Sequence, residues 1–126
     1  MTDKHAKGMQ VRRAVLGEAH VAQAEAARTA FDTPFQNLIT ESAWGTLWAD
    51  ETISHRDRSL LTLALLAATG SVSEIPMHIR ATQSTGARPE EVMQALMHVA
   101  VYAGVPKANH AIKLAKETYR EMGVEL

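Results

Sequence analysis

The chain has 126 residues, with 13 Lys and Arg set against 14 Asp and Glu, six histidines and no cysteine. That length corresponds to one domain burying roughly two-thirds of its unfolded surface, and the near-cancelling charge argues against nucleic acid, whose phosphates demand a basic face. Without cysteine there are no disulfides, no thiolate metal sites and no thiol redox chemistry. No run of eighteen apolar residues exists to span a membrane, and the polar start Met1-Thr2-Asp3-Lys4-His5 lacks the apolar stretch of a signal peptide. A cytoplasmic protein with no membrane or nucleic-acid partner is the expectation.

The first eight residues read as a flexible arm, and residues 9–126 as a single domain. Met9 to Leu16 forms a short helix stopped by Gly17, and Ala19 to Ala30 an alanine-rich second one. Asp32 offers an N-cap ahead of Pro34, opening a helix through Phe35, Leu38, Ile39, Ala43 and Leu47. Ser54-His55-Arg56-Asp57 has the form of a capping box with Asp in place of Glu. It starts the most apolar segment, Leu60 to Ala68, closed by Gly70. Apolar on every side, this segment is expected to be a central buried helix.

Ser73 is the expected cap of the next helix, where Pro76 is tolerated within the first turn, and Gly86 terminates it. Pro89 opens a further helix with Val92, Leu96, Val99 and Ala100 on one stripe, ending at Gly104. Pro106 starts the last, through Ala108, Ile112, Leu114, Ala115 and Tyr119. Strand patterns are absent. The predicted architecture is all-α, a single-domain antiparallel helical bundle with short connections.

Acid/base chemistry concentrates in Ser73-Glu74-Ile75-Pro76-Met77-His78. Spacing of i and i+4 puts Glu74 and His78 one above the other on a helix face. The bland readings are a first-turn carboxylate satisfying the helix dipole and a packed histidine bonded to a neighbouring helix. A metal site built on Glu74 and His78 lacks a second closely spaced ligand pair, so none is expected.

Several segments taken in order resemble the carboxymuconolactone decarboxylase family. They are Arg12-Arg13-Ala14-Val15-Leu16-Gly17 with His20-Val21, Phe35-Gln36-Asn37-Leu38-Ile39-Thr40, Ala43-Trp44-Gly45 with Trp48, and Arg58-Ser59-Leu60-Leu61-Thr62-Leu63-Ala64. Glu74 with His78, Gly86, Glu90-Glu91-Val92 and Tyr102-Ala103-Gly104-Val105-Pro106 complete the set. The likeness runs from Gly8 onward. In the related alkylhydroperoxidase-like branch a Cys-x-x-Cys pair precedes a histidine. Here Ser71 and Glu74 stand in those places, so peroxidase chemistry is excluded for want of a thiolate.

The resemblance implies an alkylhydroperoxidase-like helical fold and cofactor-free decarboxylation of γ-carboxymuconolactone to β-ketoadipate enol-lactone in protocatechuate catabolism. It also implies a homo-oligomer, a hexamer or trimer, with no metal. On that reading His78 and Glu74 are the catalytic candidates. Arg58, Arg12 and Arg13 are candidates for the substrate carboxylates, where a planar guanidinium binds bidentately. Trp44, with Trp48, would wall the site, and His20 and His110 are weaker candidates. Each has a plainer alternative: solvated arginines, subunit salt bridges, or tryptophans packed in a core or interface. Two other functions stay open, a related lactone or enol isomerase (or another carboxy-lyase) on the same scaffold, and a non-catalytic helical oligomerisation protein.

Overall fold

The computed structural model describes residues 2–126, whose regular structure is helical, with no strand among the described residues. The all-α expectation therefore holds. The helices gather into two compact units, one ending at His55 and the other spanning Arg56–Leu126.

The first unit contains α1 (Asp3–Leu16), α2 (Glu18–Ala26), α3 (Thr33–Ile39) and a π-helical segment (Thr40–Leu47) that continues α3. Residues 3–8, expected as a loose arm, are instead the opening turns of α1. The reason is local. Thr2 caps the helix, its Oγ1 accepting from the His5 N–H at 3.0 Å while its hydroxyl donates to Glu41 Oε1 at 2.7 Å. Gly8 and Gly45 then let α1 and the π-helix approach at backbone distance. A methyl built on Gly8 would overlap the Thr40 carbonyl oxygen and come 3.0 Å from the Gly45 nitrogen. Met9, Val11, Val15, Val21, Trp44 and Trp48 are the buried apolar residues of this unit.

Asp32 takes the N-cap position of α3 but turns its carboxylate back to the N–H of Thr29 at 2.8 Å. Its carboxyl is accordingly held below the usual carboxylate range, chiefly by that backbone bond. The predicted helix through Leu47 is present, yet from Thr40 it widens to π geometry. Trp44 within it and Trp48 at its C-cap hold their rings tilted against each other, centroids 5.2 Å apart.

The second unit contains α4 (His55–Thr69, whose first residue closes the preceding unit), a 3-10 turn (Val72–Glu74), α5 (Ile75–Thr85), α6 (Pro89–Ala103) and α7 (Val105–Glu121). Its core joins Leu63 and Ala67 of α4, Ile75 and Ile79 of α5, Val92, Leu96 and Val99 of α6, and Ala108, Ala111, Ala115 and Tyr119 of α7. Gly86, in the left-handed region at φ 85°, ends α5. Contrary to the expectation for Leu60 to Ala68, α4 is not buried all round. The stripe Arg58, Ser59, Leu63 and Ala67 is buried, whereas Leu61 and Leu65 are 54% and 63% exposed. An all-apolar helix in a chain this small has more hydrophobic surface than the unit's own core can cover.

Candidate functional site

His78 lies in the second turn of α5, on the face that also carries Ile75, Ile79 and Thr82, and is 9% exposed. That face is set by the 3.6-residue period of Ile75, His78, Ile79 and Thr82. Glu74, not Ser73, occupies the N-cap of α5, at the end of the 3-10 turn. Its carboxylate is exposed and makes no side-chain hydrogen bond or ion pair among the described residues, so the i, i+4 spacing does not join it to His78 directly. Glu74 closes a 3-10 turn with its tighter period, so the stacking expected of i and i+4 in one continuous α-helix does not apply. Arg58 is buried on α4 at 9% exposure, beside the fully buried Ser59, whose hydroxyl meets that of Thr85 at 2.7 Å.

The remaining predicted residues belong to the first unit. Arg12 is 9% exposed on α1 and contacts Glu25 of α2 at 3.4 Å; Glu25 also takes Arg28 at 3.1 Å on the same oxygen, and Arg28 reaches Asn37 Oδ1 of α3 at 3.2 Å. Burial pulls the Arg12 guanidinium below its ordinary pKa; the charge of Arg28 adds to this and Glu25 opposes it. Arg13, one position on and so about 100° round the helix, is exposed and pairs loosely with Glu18 at 3.8 Å. The two arginines thus do different things. His20 is half-buried on α2, and Trp44 is buried at 6%.

Two residues outside the predicted set emerge. Arg28 completes the Arg12–Glu25 cluster. His55 packs its ring tilted against Trp48 (centroids 5.7 Å) and shares a 3.0 Å hydrogen bond with the Trp48 carbonyl oxygen, to which only a ring N–H can donate. With Lys7, Gln10, Val11, Ala14, Ala49 and Glu51 the two rings line a cleft of about 180 Å³. An i, i+3 Glu25–Arg28 pair looks in sequence like any solvated helix face, so only its packing against α1 marks it.

In the second unit an apolar cleft of about 570 Å³ opens between α6, α7 and the C-terminal tail, with Met93, Leu96, Ile112 and Tyr119 among its walls. Its charged rim is Glu90, Glu125 and Lys116, a balance that repels a dianion. A groove of about 600 Å³ along α7 carries Lys113, Lys116 and Arg120 against Glu117. Neither cleft includes His78 or Glu74. At the start of α6, Glu91 is held below the usual carboxylate range, first by the Arg88 backbone N–H and then by the charges of Arg56 and Arg88. It is thereby engaged as a cap, not a catalytic acid. No group of three His, Asp or Glu side chains suited to a metal occurs among the described residues. Nor is any helix among them long and apolar enough to cross a membrane.

The second unit thus carries a buried imidazole on α5, a carboxylate at that helix's cap and a buried guanidinium on α4, and the first unit a buried guanidinium on α1. Residues 33–117 match the Carboxymuconolactone decarboxylase family, and the chain belongs to it. The chain is 36% identical over 121 residues to 4-carboxymuconolactone decarboxylase of Acinetobacter baylyi, covering 96% of this chain and 90% of that protein. It is 37% identical over 116 residues to nitrosuccinic acid decarboxylase of Metarhizium robertsii, covering 92% and 81%. Both relatives are decarboxylases, so carboxy-lyase is the reaction class that the comparisons support.

Proposed function

We propose that this protein decarboxylates γ-carboxymuconolactone to β-ketoadipate enol-lactone in the breakdown of protocatechuate. The observation that carries this is the end-to-end likeness to 4-carboxymuconolactone decarboxylase, spanning nine-tenths or more of both chains.

The substrate supplies its own electron sink. Heterolysis of the bond from the γ-carbon to the carboxylate releases CO2 and leaves its electron pair on that carbon. The pair moves through the ring alkene onto the lactone carbonyl, and the resulting dienolate takes a proton at the ring carbon next to the carbonyl. The protein has three tasks: hold a dianion, stabilise the enolate oxygen and deliver one proton. His78 suits the third, because imidazole titrates near neutrality. Glu74, exposed one turn earlier and without an ionic partner among the described residues, is available to relay that proton. Arg58 and Arg12 are the buried guanidiniums suited to carboxylates; exposed Arg13 suits the task less. Trp44 and His20 fall to wall and polar-contact roles. No step calls for a metal or an organic cofactor.

The second relative favours one other reading. Nitrosuccinic acid is also a dicarboxylic acid with an electron-withdrawing group beside the carboxyl that can leave, so the same machinery serves either acceptor. Offering both compounds to the purified protein separates them. The lactone is expected to give a kcat/KM at least about tenfold higher, the scale of discrimination that one mismatched polar group imposes. The reverse order assigns the nitro acid.

We further infer a homo-oligomer, hexamer or trimer. Leu61 and Leu65 of α4 together with Met97, Val101 and Tyr102 of α6 are exposed large apolar side chains, more than a lone soluble chain ordinarily leaves uncovered. A monomer mass in light scattering would remove that part.

A further inference from the structure

Arg12 and Arg28 share one directly bonded carboxylate in the first unit, with Asp32 adding its charge near Arg28. Both guanidiniums converge on a single oxygen, Oε1 of Glu25, at 3.4 and 3.1 Å, longer than the 2.7–2.9 Å usual for a charge-assisted pair. Arg12 is nine-tenths buried, offers five N–H donors, and among the described residues has Glu25 as its one partner. The Nε atoms of Arg12 and Arg28 are both buried without a hydrogen-bond acceptor. Buried donors in native proteins are satisfied as a rule, and these two guanidiniums share a single directly bonded carboxylate. The opening is on the side of Glu25 and Arg28, whose side chains keep 33% and 20% exposure against 11% for Arg12. Asn37 fixes the outer end of the Arg28 fork.

We propose that Arg12 and Arg28 form a carboxylate clamp, in which Glu25 is a resident counter-ion that a dicarboxylate ligand displaces or joins. On the decarboxylase reading above, on which this rests, the ligand is the dicarboxylate substrate and Arg28 is a further substrate-binding residue. Burial disfavours the charged form of Arg12, Glu25 offsets part of this and Arg28 adds to it, and an arriving anion relieves what is left. A scaffold salt bridge has no such use for an anion.

The sign of one substitution distinguishes clamp from scaffold. Glu25→Gln removes the competing carboxylate, so the full-length protein should start less stable but bind succinate about tenfold more tightly than wild type, by calorimetry at constant ionic strength. Arg28→Lys keeps the charge but loses the planar fork. It should raise KM for the lactone about tenfold with kcat within about twofold. Sodium chloride at matched ionic strength should reproduce neither effect. Unchanged or weaker succinate binding by Glu25→Gln, together with unchanged KM in Arg28→Lys, would make the cluster a structural bridge and overturn the clamp. If wild type shows no decarboxylation yet succinate binding follows the Glu25→Gln pattern, the clamp stands and the assigned reaction fails.

Discussion

Replacing His78 with alanine should lower kcat for decarboxylation by a hundredfold or more, about 2.7 kcal/mol of lost transition-state stabilisation. The dienolate left after CO2 departs must be protonated on carbon, a step slow enough in water to need a positioned acid. On α5 the imidazole is the side chain whose ordinary titration falls near neutral pH. Because His78 is buried at 9% exposure, alanine also opens a cavity, and part of any loss could reflect packing. His78→Gln separates the two effects: glutamine approximates the volume and keeps a hydrogen-bonding head but exchanges no proton. Both variants should lose turnover, and only alanine should lose several degrees of Tm. If His78→Gln retains turnover within about threefold of wild type, the imidazole is a packing residue and another group delivers the proton.

Gly8→Ala should be the most damaging small substitution in the first unit. The added methyl meets the Thr40 carbonyl oxygen and the Gly45 nitrogen, which are backbone atoms and cannot swing aside as a side chain would. Gly45 stands in the same relation to the Lys4 carbonyl, so the two glycines form a reciprocal contact between α1 and the π-helix. Forcing them apart strips packing from Met9, Trp44 and Trp48. Overpacking of this kind costs about 2–3 kcal/mol, and thermal unfolding should show a Tm fall on the order of 10 °C. The exposed Ala14→Ser on the same helix should change little. A Tm for Gly8→Ala within about 2 °C of wild type would mean that α1 does not dock as described.

Gly8 also shows where sequence reading stops. Glycine near a terminus looks like a helix breaker, and nothing in the flanking residues reveals that its missing side chain admits another backbone. Helix ends were more legible, because they have a local cause. Pro89 and Pro106 open α6 and α7 at the first turn, and Gly86 closes α5 in a conformation other residues avoid. The π geometry of Thr40–Leu47 was not legible, since widening a helix by one residue per hydrogen bond leaves no compositional mark. The half-exposed α4 has a similar origin: composition reports that a helix is apolar all round, not how many of its faces the same chain can cover.

For the candidate site, the residue types were legible and their pairing was not. His78 and Arg58 are buried polar residues. The spacing of Glu74 and His78 puts them on one face of a continuous α-helix, yet Glu74 ends the 3-10 turn that precedes α5. Helix geometry sets Arg12 and Arg13 about 100° apart, so they cannot serve one ligand equally, and the structure buries Arg12 beside Glu25 and leaves Arg13 to solvent. Arg28 became visible only when α1, α2 and α3 were seen to bring it to the same carboxylate.

Carbon dioxide release tests the central claim most directly. Purified protein is mixed with enzymatically generated γ-carboxymuconolactone in chelator-treated buffer, and evolved CO2 is followed against the spontaneous background. One CO2 per lactone consumed, at a rate proportional to enzyme and insensitive to EDTA, is the result expected of a cofactor-free carboxy-lyase. CO2 evolution that never rises above the background, or that ceases when EDTA is added, would contradict it.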